Sequence, residues 1–202
     1  IRYERGERID TAEFQRQVEA AVQRVVVQQL TAGIDIGNNG EQPRVGFQTY
    51  VASRMQGFGG ASARPASMDV RAFPDYGAML RARRSQTTKI DNAPQALAEV
   101  HYSDLSEATR ECDLFLQYTA AQPQSFIEPF MTAASPGIIA TTLLNAYYDS
   151  YEHYVMALAR EMQREYEFIH SRGLTLQLDC PDLAMERARY FQNDSLERFQ
   201  TI

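Results

Sequence analysis

The sequence predicts an α/β fold built on a parallel sheet, and three observations support this. A helical pattern of apolar residues leads directly into a short apolar segment at two places, just after Gly33 and just after Gly173. Helix-like and strand-like segments follow one another roughly in the order αβ, loop, βα, βα, αβ, α. Polar residues come directly after several apolar segments. Such alternation is typical of a barrel or of a doubly wound sheet.

The composition excludes several classes of partner. The 202 residues are 44% hydrophobic and 23% charged, as in ordinary globular domains. Acidic residues outnumber basic ones by 26 to 20, and the net charge of −6 argues against nucleic acid, which needs clustered positive charge. Apolar runs such as Val25–Val27 are too short to cross a bilayer, so we expect no membrane partner. With two cysteines and no disulfide framework, the expected location is a reducing cytoplasm.

The first unit is predicted to be a helix followed by a short buried strand. Asp10 and Glu13 have the spacing of a capping box, and Gly33 fits the position just after the last helical turn. Ile34–Ile36 is predicted to be a buried strand, and it leads into the polar turn 37–44. The apolar face of the helix is expected to consist of Phe14, Val18, Ala21, Val22, Val25 and Leu30.

The middle of the chain is predicted to contain a long loop and a second α/β unit. Residues 46–55 favour a short helix, and residues 57–75, rich in Gly, Ala, Ser and Pro, indicate a long loop. A strand is expected at Ala96–Tyr102, and Ser103 is expected to cap a helix that runs to about Thr119.

The last third is predicted to hold two more strands. Ser125–Met131 is expected to be a strand, and a helix is expected at 138–147. Asp149 and Glu152 repeat the capping-box spacing at the start of the most strongly periodic helix. A strand at 174–178 and a further helix at 182–192 are expected to follow.

Glu41, Ser135 and Asp179 are candidate site residues because each lies just after an apolar strand-like segment. In a (β/α) barrel the active site lies at the carboxyl ends of the strands. A carboxylate at Glu41 can receive an ammonium group or act as a base, or it can simply pair with Arg44. Asp179 either points into the mouth of a barrel or caps a helix that starts at Asp182.

The cysteines and histidines give weaker signals. Neither Cys112 nor Cys180 belongs to a C-x-x-C or H-x-C pair, so the sequence predicts no metal site here. Cys112 falls on an apolar helix face and is expected in the core. His153 and His170 are expected on the surface, whereas His101, near a strand end, can reach a pocket.

Several segments, taken in order, resemble the cobalamin-independent methionine synthase family. Gln29–Gln42 resembles the "Q-x-x-x-G-I-D-x-x-x-x-G-E" segment of that family, and Gln177–Ala184 resembles its "Q-x-D-x-P" segment. The match continues at 47–51, 54–58, 134–137 and 165–166. The "S-P-G" and "F-x-T-Y-V" forms are most similar to the short, single-barrel members, which are often compared with epoxyalkane:coenzyme M transferase.

The resemblance implies a (β/α)8 TIM barrel that transfers a methyl or alkyl group to a thiol. Residues 1–202 would be a single domain, the central part of such a barrel, without its first strand and its C-terminal strands. The implied cofactor is zinc, which binds the acceptor thiol and lowers its pKa so that a thiolate attacks the electrophilic carbon. The implied partners are a homocysteine-like thiol and a methyl or alkyl donor, either a folate or another electrophile.

The resemblance also implies roles for particular residues. Glu41 and Asp179 occupy the positions whose carboxylates hold the amino group of homocysteine. From their places near strand ends, and not from the resemblance, Ser135 and His101 are expected to line the same substrate site. The zinc ligands of the family are expected beyond Ile202. Cys180 occupies a position at which methionine synthases carry an acidic residue, so the resemblance does not fix which thiol is the substrate. The alternatives are therefore C–S bond formation like that of epoxyalkane:coenzyme M transferase, or a non-catalytic fragment without the metal site.

Overall fold

Two small sheets and the helices around them form the architecture. The structure is a computed structural model that describes residues 10–62, 66–84, 93–189 and 191–201. A three-stranded parallel sheet has the order β1-β4-β5, and β2 and β3 form a two-stranded antiparallel sheet. In chain order the elements are α1 (Thr11–Thr31), β1 (Ile36–Gly37), α2 (Val51–Arg54), β2 (Met55–Gly59), α3 (Met68–Ala72), α4 (Pro74–Arg84), β3 (Gln95–Tyr102), α5 (Ser106–Ala120), β4 (Glu128–Ala134), α6 (Pro136–Thr142), α7 (Tyr151–Ser171), β5 (Thr175–Asp179), α8 (Asp182–Arg189) and α9 (Leu196–Gln200).

The register of the parallel sheet places the carboxyl ends of β4 and β5 side by side, whereas β1 pairs with the first two residues of β4. Ile36 of β1 pairs with Glu128 of β4, and β4 then pairs with β5 from Phe130 opposite Thr175 up to Ala134 opposite Asp179. Helix α5 precedes β4, and α6 and α7 precede β5. The predicted parallel sheet is confirmed, but across the described ranges the strands form an open sheet, without the closed barrel that the resemblance implies.

The expected strand at Ala96–Tyr102 exists, but it belongs to the antiparallel pair. Met55 lies opposite Tyr102, and a bulge interrupts the ladder between Gln56 and Phe58. Gly57 lies at this bulge with a φ of +94°, and a Cβ there would come within 2.5 Å of the carbonyl oxygen of Glu99. The expected loop at 57–75 is therefore wrong in part: its glycines permit a bulged strand, and α3 and the start of α4 follow.

Helix starts follow the cap signals at α1 and, within one residue, at α7, whereas α5 begins after Leu105 and is not capped by Ser103 as expected. Asp10 caps α1 as predicted, accepting a hydrogen bond from the backbone N–H of Glu13. Helix α7 begins one residue later than predicted, because Ser150 rather than Asp149 caps it. Helix α6 is shorter than expected, because its last turn is followed by extended backbone at Leu143.

The first strand differs from its prediction. Ile34 and Ile36 are both exposed, and β1 contains only Ile36 and Gly37. Among the described strands, β1 lies at the edge of the parallel sheet and pairs with β4.

The core lies between the sheet and helices α1, α5 and α7. Helix α7 contributes a buried stripe of residues at helical spacing: Tyr154, Leu158, Met162, Glu165 and Ile169. Cys112 is buried on α5, as predicted. Each of these two helices also buries a carboxylate, Glu111 on α5 and Glu165 on α7, which hydrophobic packing does not explain. Among the described residues, no helix is both long and apolar enough to cross a membrane.

Candidate functional site

The loop after β1 holds Glu41 in an unusual backbone conformation. Glu41 has a φ of +55°, the left-handed region that residues other than glycine rarely adopt. Two asparagine side chains support this turn: Asn38 accepts a hydrogen bond from Gly40 N–H, and Asn39 accepts one from Glu41 N–H, both at 2.9 Å. Strain of this kind is maintained where the surroundings determine the conformation, often at binding sites.

The carboxylate of Glu41 rests on strand β4. Its Oε1 accepts a hydrogen bond of 2.7 Å from the hydroxyl of Thr132. Its side chain is 28% exposed, and the nearest guanidinium nitrogen of Arg44 is 3.7 Å away. The alternative expectation, that Glu41 pairs with Arg44, corresponds to a contact that is longer than the hydrogen bond to Thr132. The carboxylate of Glu41 stays accessible to a ligand.

Arg44 is instead held by buried partners below Glu41. Its side chain is 2% exposed, and its Nε donates to Glu111 at 2.9 Å. Its two terminal nitrogens donate to Thr132, one to the hydroxyl oxygen at 2.9 Å and the other to the carbonyl oxygen at 2.8 Å. Arg44 thus ties the loop after β1 to both β4 and α5.

A second arginine continues this buried cluster toward the antiparallel sheet. Arg54 donates to Glu111 at 2.6 Å and lies 3.0 Å from Glu165. Glu165 also accepts hydrogen bonds from the hydroxyls of Tyr50 and Tyr102. The guanidinium groups of Arg44 and Arg54 each lie 4.4 Å from the centre of the Tyr50 ring, a distance typical of cation–π contacts.

The electrostatics of the buried cluster favour the charged forms of Glu111, Arg44 and Arg54. Burial opposes the charge of Glu111, but Arg44 and Arg54 outweigh it and hold the pKa of Glu111 below its usual range. Burial likewise opposes the charge of Arg44, but Glu111, Tyr50 and Glu165 together outweigh it and raise the pKa of Arg44. The two guanidiniums balance Glu111 and Glu165, so Glu41 adds an unbalanced negative charge at the rim.

Asp179 lies on the same face of the sheet as Thr132. Its partner in the register is Ala134, and Thr132 precedes Ala134 by two residues, so all three side chains point to one face. At about 4.8 Å between strands and about 6.6 Å for two residues, the Cα atoms of Thr132 and Asp179 are about 8 Å apart. Asp179 is partly exposed, and its carboxylate accepts a hydrogen bond of 3.0 Å from Gln177. The structure therefore brings Glu41 and Asp179 to one end of the sheet.

Ser135 lies at this same end, but its hydroxyl is engaged in structure. It donates to Asp182 at 2.7 Å and accepts from the backbone N–H of Ile138 at 3.1 Å, which caps α6. Its own N–H donates to the carbonyl oxygen of Asp179 at 3.1 Å. Ser135 thus holds the end of β4 beside Asp179, and its hydroxyl links that strand end to α6 and to Asp182.

His101 is not brought together with the other three. It lies on β3, where its neighbour Tyr102 points into the buried cluster, so its own side chain points to the opposite face. The side chain is 63% exposed, and its Nδ1 lies 3.3 Å from a carboxylate oxygen of Glu161 on α7. The expectation that His101 lines the same site is therefore not supported by the geometry, because alternation along the strand turns it outward.

Zinc has no set of ligands in the described part of the chain. Residues 10–62, 66–84, 93–189 and 191–201 contain no group of three or more His, Cys, Asp or Glu side chains placed to hold a metal ion. Cys180, beside Asp179, is partly exposed, and burial raises the pKa of its thiol, which disfavours the thiolate that a metal requires. The described residues therefore do not fit the metal that the resemblance implies.

Most of the residues that support Glu41 are not indicated as site residues by the sequence. They are Asn39, Tyr50, Arg54, Tyr102, Glu111, Thr132 and Glu165. One signal was available, because Glu111 and Glu165 occupy buried positions of otherwise apolar helix stripes. A carboxylate at such a position requires a buried partner.

Comparisons with known proteins bear on the fold. Neither protein-family models nor curated protein sequences give a match. Among solved structures, the chain is similar to a B12-independent methionine synthase from Shewanella sp. W3-18-1, solved in complex with selenomethionine, with 17% sequence identity and a TM-score of 0.64. The similarity covers 92% of this chain and 46% of the synthase, so the chain spans about half the length of that protein. The fold of this chain is therefore similar to that of part of a methionine synthase.

Proposed function

We propose that this chain forms the thiol-substrate site of a methyl- or alkyltransferase related to the cobalamin-independent methionine synthases. In this proposal β1, β4 and β5 are consecutive strands of a (β/α)8 barrel, and their carboxyl ends form part of its mouth. The site receives an amino acid that carries a thiol, with homocysteine as the first candidate. The methyl or alkyl donor is a folate or another electrophile.

The observation that carries the proposal is the pair of carboxylates at one end of the parallel sheet. Glu41 is held at a φ of +55° above a buried cluster in which two guanidiniums balance two carboxylates, and its side chain stays partly exposed. Asp179 lies on the same face of the sheet. Two carboxylates with unbalanced negative charge suit an ammonium group, which both attracts them and donates hydrogen bonds to them. They disfavour an anionic thiol such as coenzyme M.

The chain's own residues bind and orient the thiol substrate in this proposal. Glu41 and Asp179 accept hydrogen bonds from the ammonium group and so hold the thiol end of the substrate in one direction. The zinc of the related enzymes would keep the thiol ionised, but the described residues do not fit it. We therefore assign no residue of this chain to a metal, and this chain by itself is expected to bind the substrate rather than to turn it over.

Isothermal titration calorimetry with L-homocysteine tests the proposal. Glu41→Gln and Asp179→Asn are each expected to raise the Kd by about tenfold or more, because each removes one charged hydrogen bond to the ammonium group. Glu128→Gln is the matched control, since Glu128 is an exposed carboxylate at the opposite end of β4, bonded to Thr175. Its Kd is expected to equal that of the wild type.

Ligands without the ammonium group complete the test. 4-Mercaptobutanoate, which keeps the thiol and the carboxylate, and 2-mercaptoethanesulfonate are expected to bind far more weakly than L-homocysteine. Equal binding of 2-mercaptoethanesulfonate would favour the alternative transferase that acts on coenzyme M. Wild-type affinity in both carboxylate variants would remove the site assignment.

A further inference from the structure

We infer that Thr132 is a positioning residue for Glu41, and that Arg44 sets the direction of the Thr132 hydroxyl. This inference rests on the proposed function, because it concerns the carboxylate to which the ammonium group is assigned. Thr132 lies on β4, 91 positions from Glu41 in the sequence, and is buried. No local pattern around Glu41 or Thr132 indicates this pairing.

The direction of the hydrogen bond follows from the number of protons available. A threonine hydroxyl has one proton and two lone pairs. Arg44 donates to its oxygen at 2.9 Å, so the hydroxyl acts as the acceptor toward Arg44. Its single proton is then directed to the remaining partner, Oε1 of Glu41, at 2.7 Å. A guanidinium cannot accept a hydrogen bond, which makes this direction unambiguous.

Arg44 is itself fixed, so the direction of the hydroxyl does not change. Its Nε donates to Glu111 at 2.9 Å, and a terminal nitrogen donates to the carbonyl oxygen of Thr132 at 2.8 Å. Asn39, which supports the backbone of Glu41, donates to the same oxygen of Glu111 at 2.8 Å. The backbone and the carboxylate of Glu41 are therefore anchored to one buried group by two separate paths.

The arrangement leaves one oxygen of Glu41 for a ligand. Within the described part of the chain, the hydrogen bond and the ion pair of this side chain both involve Oε1. Because Thr132 is β-branched, its side chain is stiff, and its hydroxyl holds Oε1 at a constant place above β4. Thr132 thereby sets how far Oε2 of Glu41 lies from Asp179, which is on the same face of the neighbouring strand.

The test compares Thr132→Val with Thr132→Ser, using L-homocysteine as the probe and calorimetry as the readout. Valine has the shape of threonine without the hydroxyl, and the expected result is a Kd raised about tenfold. Serine keeps the hydroxyl and is expected to retain an affinity within about threefold of the wild type, since only a methyl group is lost. Thr119→Val is the matched control, because the Thr119 hydroxyl is also buried but bonds within α5 to Phe115.

The double variant Glu41→Gln with Thr132→Val separates positioning from a general structural effect. If Thr132 acts through Glu41, the double variant binds no more weakly than Glu41→Gln alone. If the valine weakens binding equally in both backgrounds, Thr132 acts independently and the inference is overturned. Wild-type affinity of Thr132→Val beside weak binding by Glu41→Gln overturns the inference alone. Wild-type affinity of Glu41→Gln overturns the proposed function.

If Thr132→Val does not fold, proton NMR of the wild-type chain tests whether the Thr132 hydroxyl donates to Glu41. A hydroxyl proton held as described exchanges slowly with water and shows a nuclear Overhauser effect to the γ-methylene of Glu41. Absence of that effect in a spectrum where the Thr132 hydroxyl proton is visible, or rapid exchange of the proton, would overturn the inference.

Discussion

Glu111→Gln is expected to destabilise the chain more strongly than any exposed charge change on the same helix. Glu111 is buried and accepts hydrogen bonds from Asn39 at 2.8 Å, Arg44 at 2.9 Å and Arg54 at 2.6 Å. Glutamine keeps the volume, but it removes the charge that compensates two buried guanidiniums and turns an amide N–H₂ toward one of them. Removing one partner from a buried ion pair costs about 3–5 kcal/mol.

A loss of that size is large against the whole stability of a domain. Free energies of unfolding are about 5–15 kcal/mol, so the variant is expected to lose about a fifth or more of its stability. The assay is urea unfolding at pH 7, followed by circular dichroism. Asp113→Asn is the matched control, because Asp113 lies on the same helix but forms a partly exposed pair with Arg172. Pairs of this kind contribute about 0–1 kcal/mol.

The pH dependence of the same variant provides a second check with a definite sign. The pKa of Glu111 is lowered in the folded chain, so its ionised form stabilises the fold at a pH above its unfolded value, which is about 4.3. This stabilisation is lost as the pH falls through the lowered folded value. The difference between wild type and Glu111→Gln should therefore be constant near neutral pH and shrink below about pH 4.3. A difference from Asp113→Asn of less than about 1 kcal/mol at pH 7 would refute the assignment of Glu111 as the compensating charge.

Three further results are expected. Tyr50→Phe should lower the free energy of unfolding by about 1–3 kcal/mol, because the buried carboxylate of Glu165 loses a hydrogen-bond donor. The control Tyr147→Phe, at an exposed position, should change it by less than about 0.5 kcal/mol, and equal losses in the two variants would contradict this. A thiol reagent should modify Cys180 in the folded chain and Cys112 only after unfolding, since Cys112 is buried and burial raises its pKa to about 12. Equally fast modification of both thiols in the folded chain would contradict this expectation. After dialysis against zinc, elemental analysis should find no stoichiometric metal on the 202-residue chain, and a tight one-to-one complex would disprove this.

The longer helices and the strands β4 and β5 could be predicted from the sequence because their signals are local, whereas β1 differs from its prediction and α3 falls in the expected loop. The cap at Asp10 and the apolar stripe of α7 depend on residues within a few turns of one another, and both are present. Strand β5 was expected at almost its observed bounds. The antiparallel pairing of β2 and β3 cannot be predicted locally, because strand direction depends on partners more than 30 residues apart. The bulge in this ladder lies at Gly57, whose φ of +94° favours glycine.

The site was predicted only in part, for the same reason. Glu41 and Asp179 were expected at strand ends, and both lie at the carboxyl end of the parallel sheet. Their supports were not expected, since the contact of Glu41 with Thr132 joins residues 91 positions apart and that of Arg54 with Glu111 joins residues 57 apart. No periodicity encodes such pairs.

The most direct test of the proposed function is a crystal structure of the chain with L-homocysteine bound. We expect the ammonium nitrogen to lie within about 3 Å of a carboxylate oxygen of Glu41 and of one of Asp179, with Thr132 still donating to the other oxygen of Glu41. An ammonium group bound elsewhere, or a ligand that contacts neither carboxylate, would contradict the proposed function.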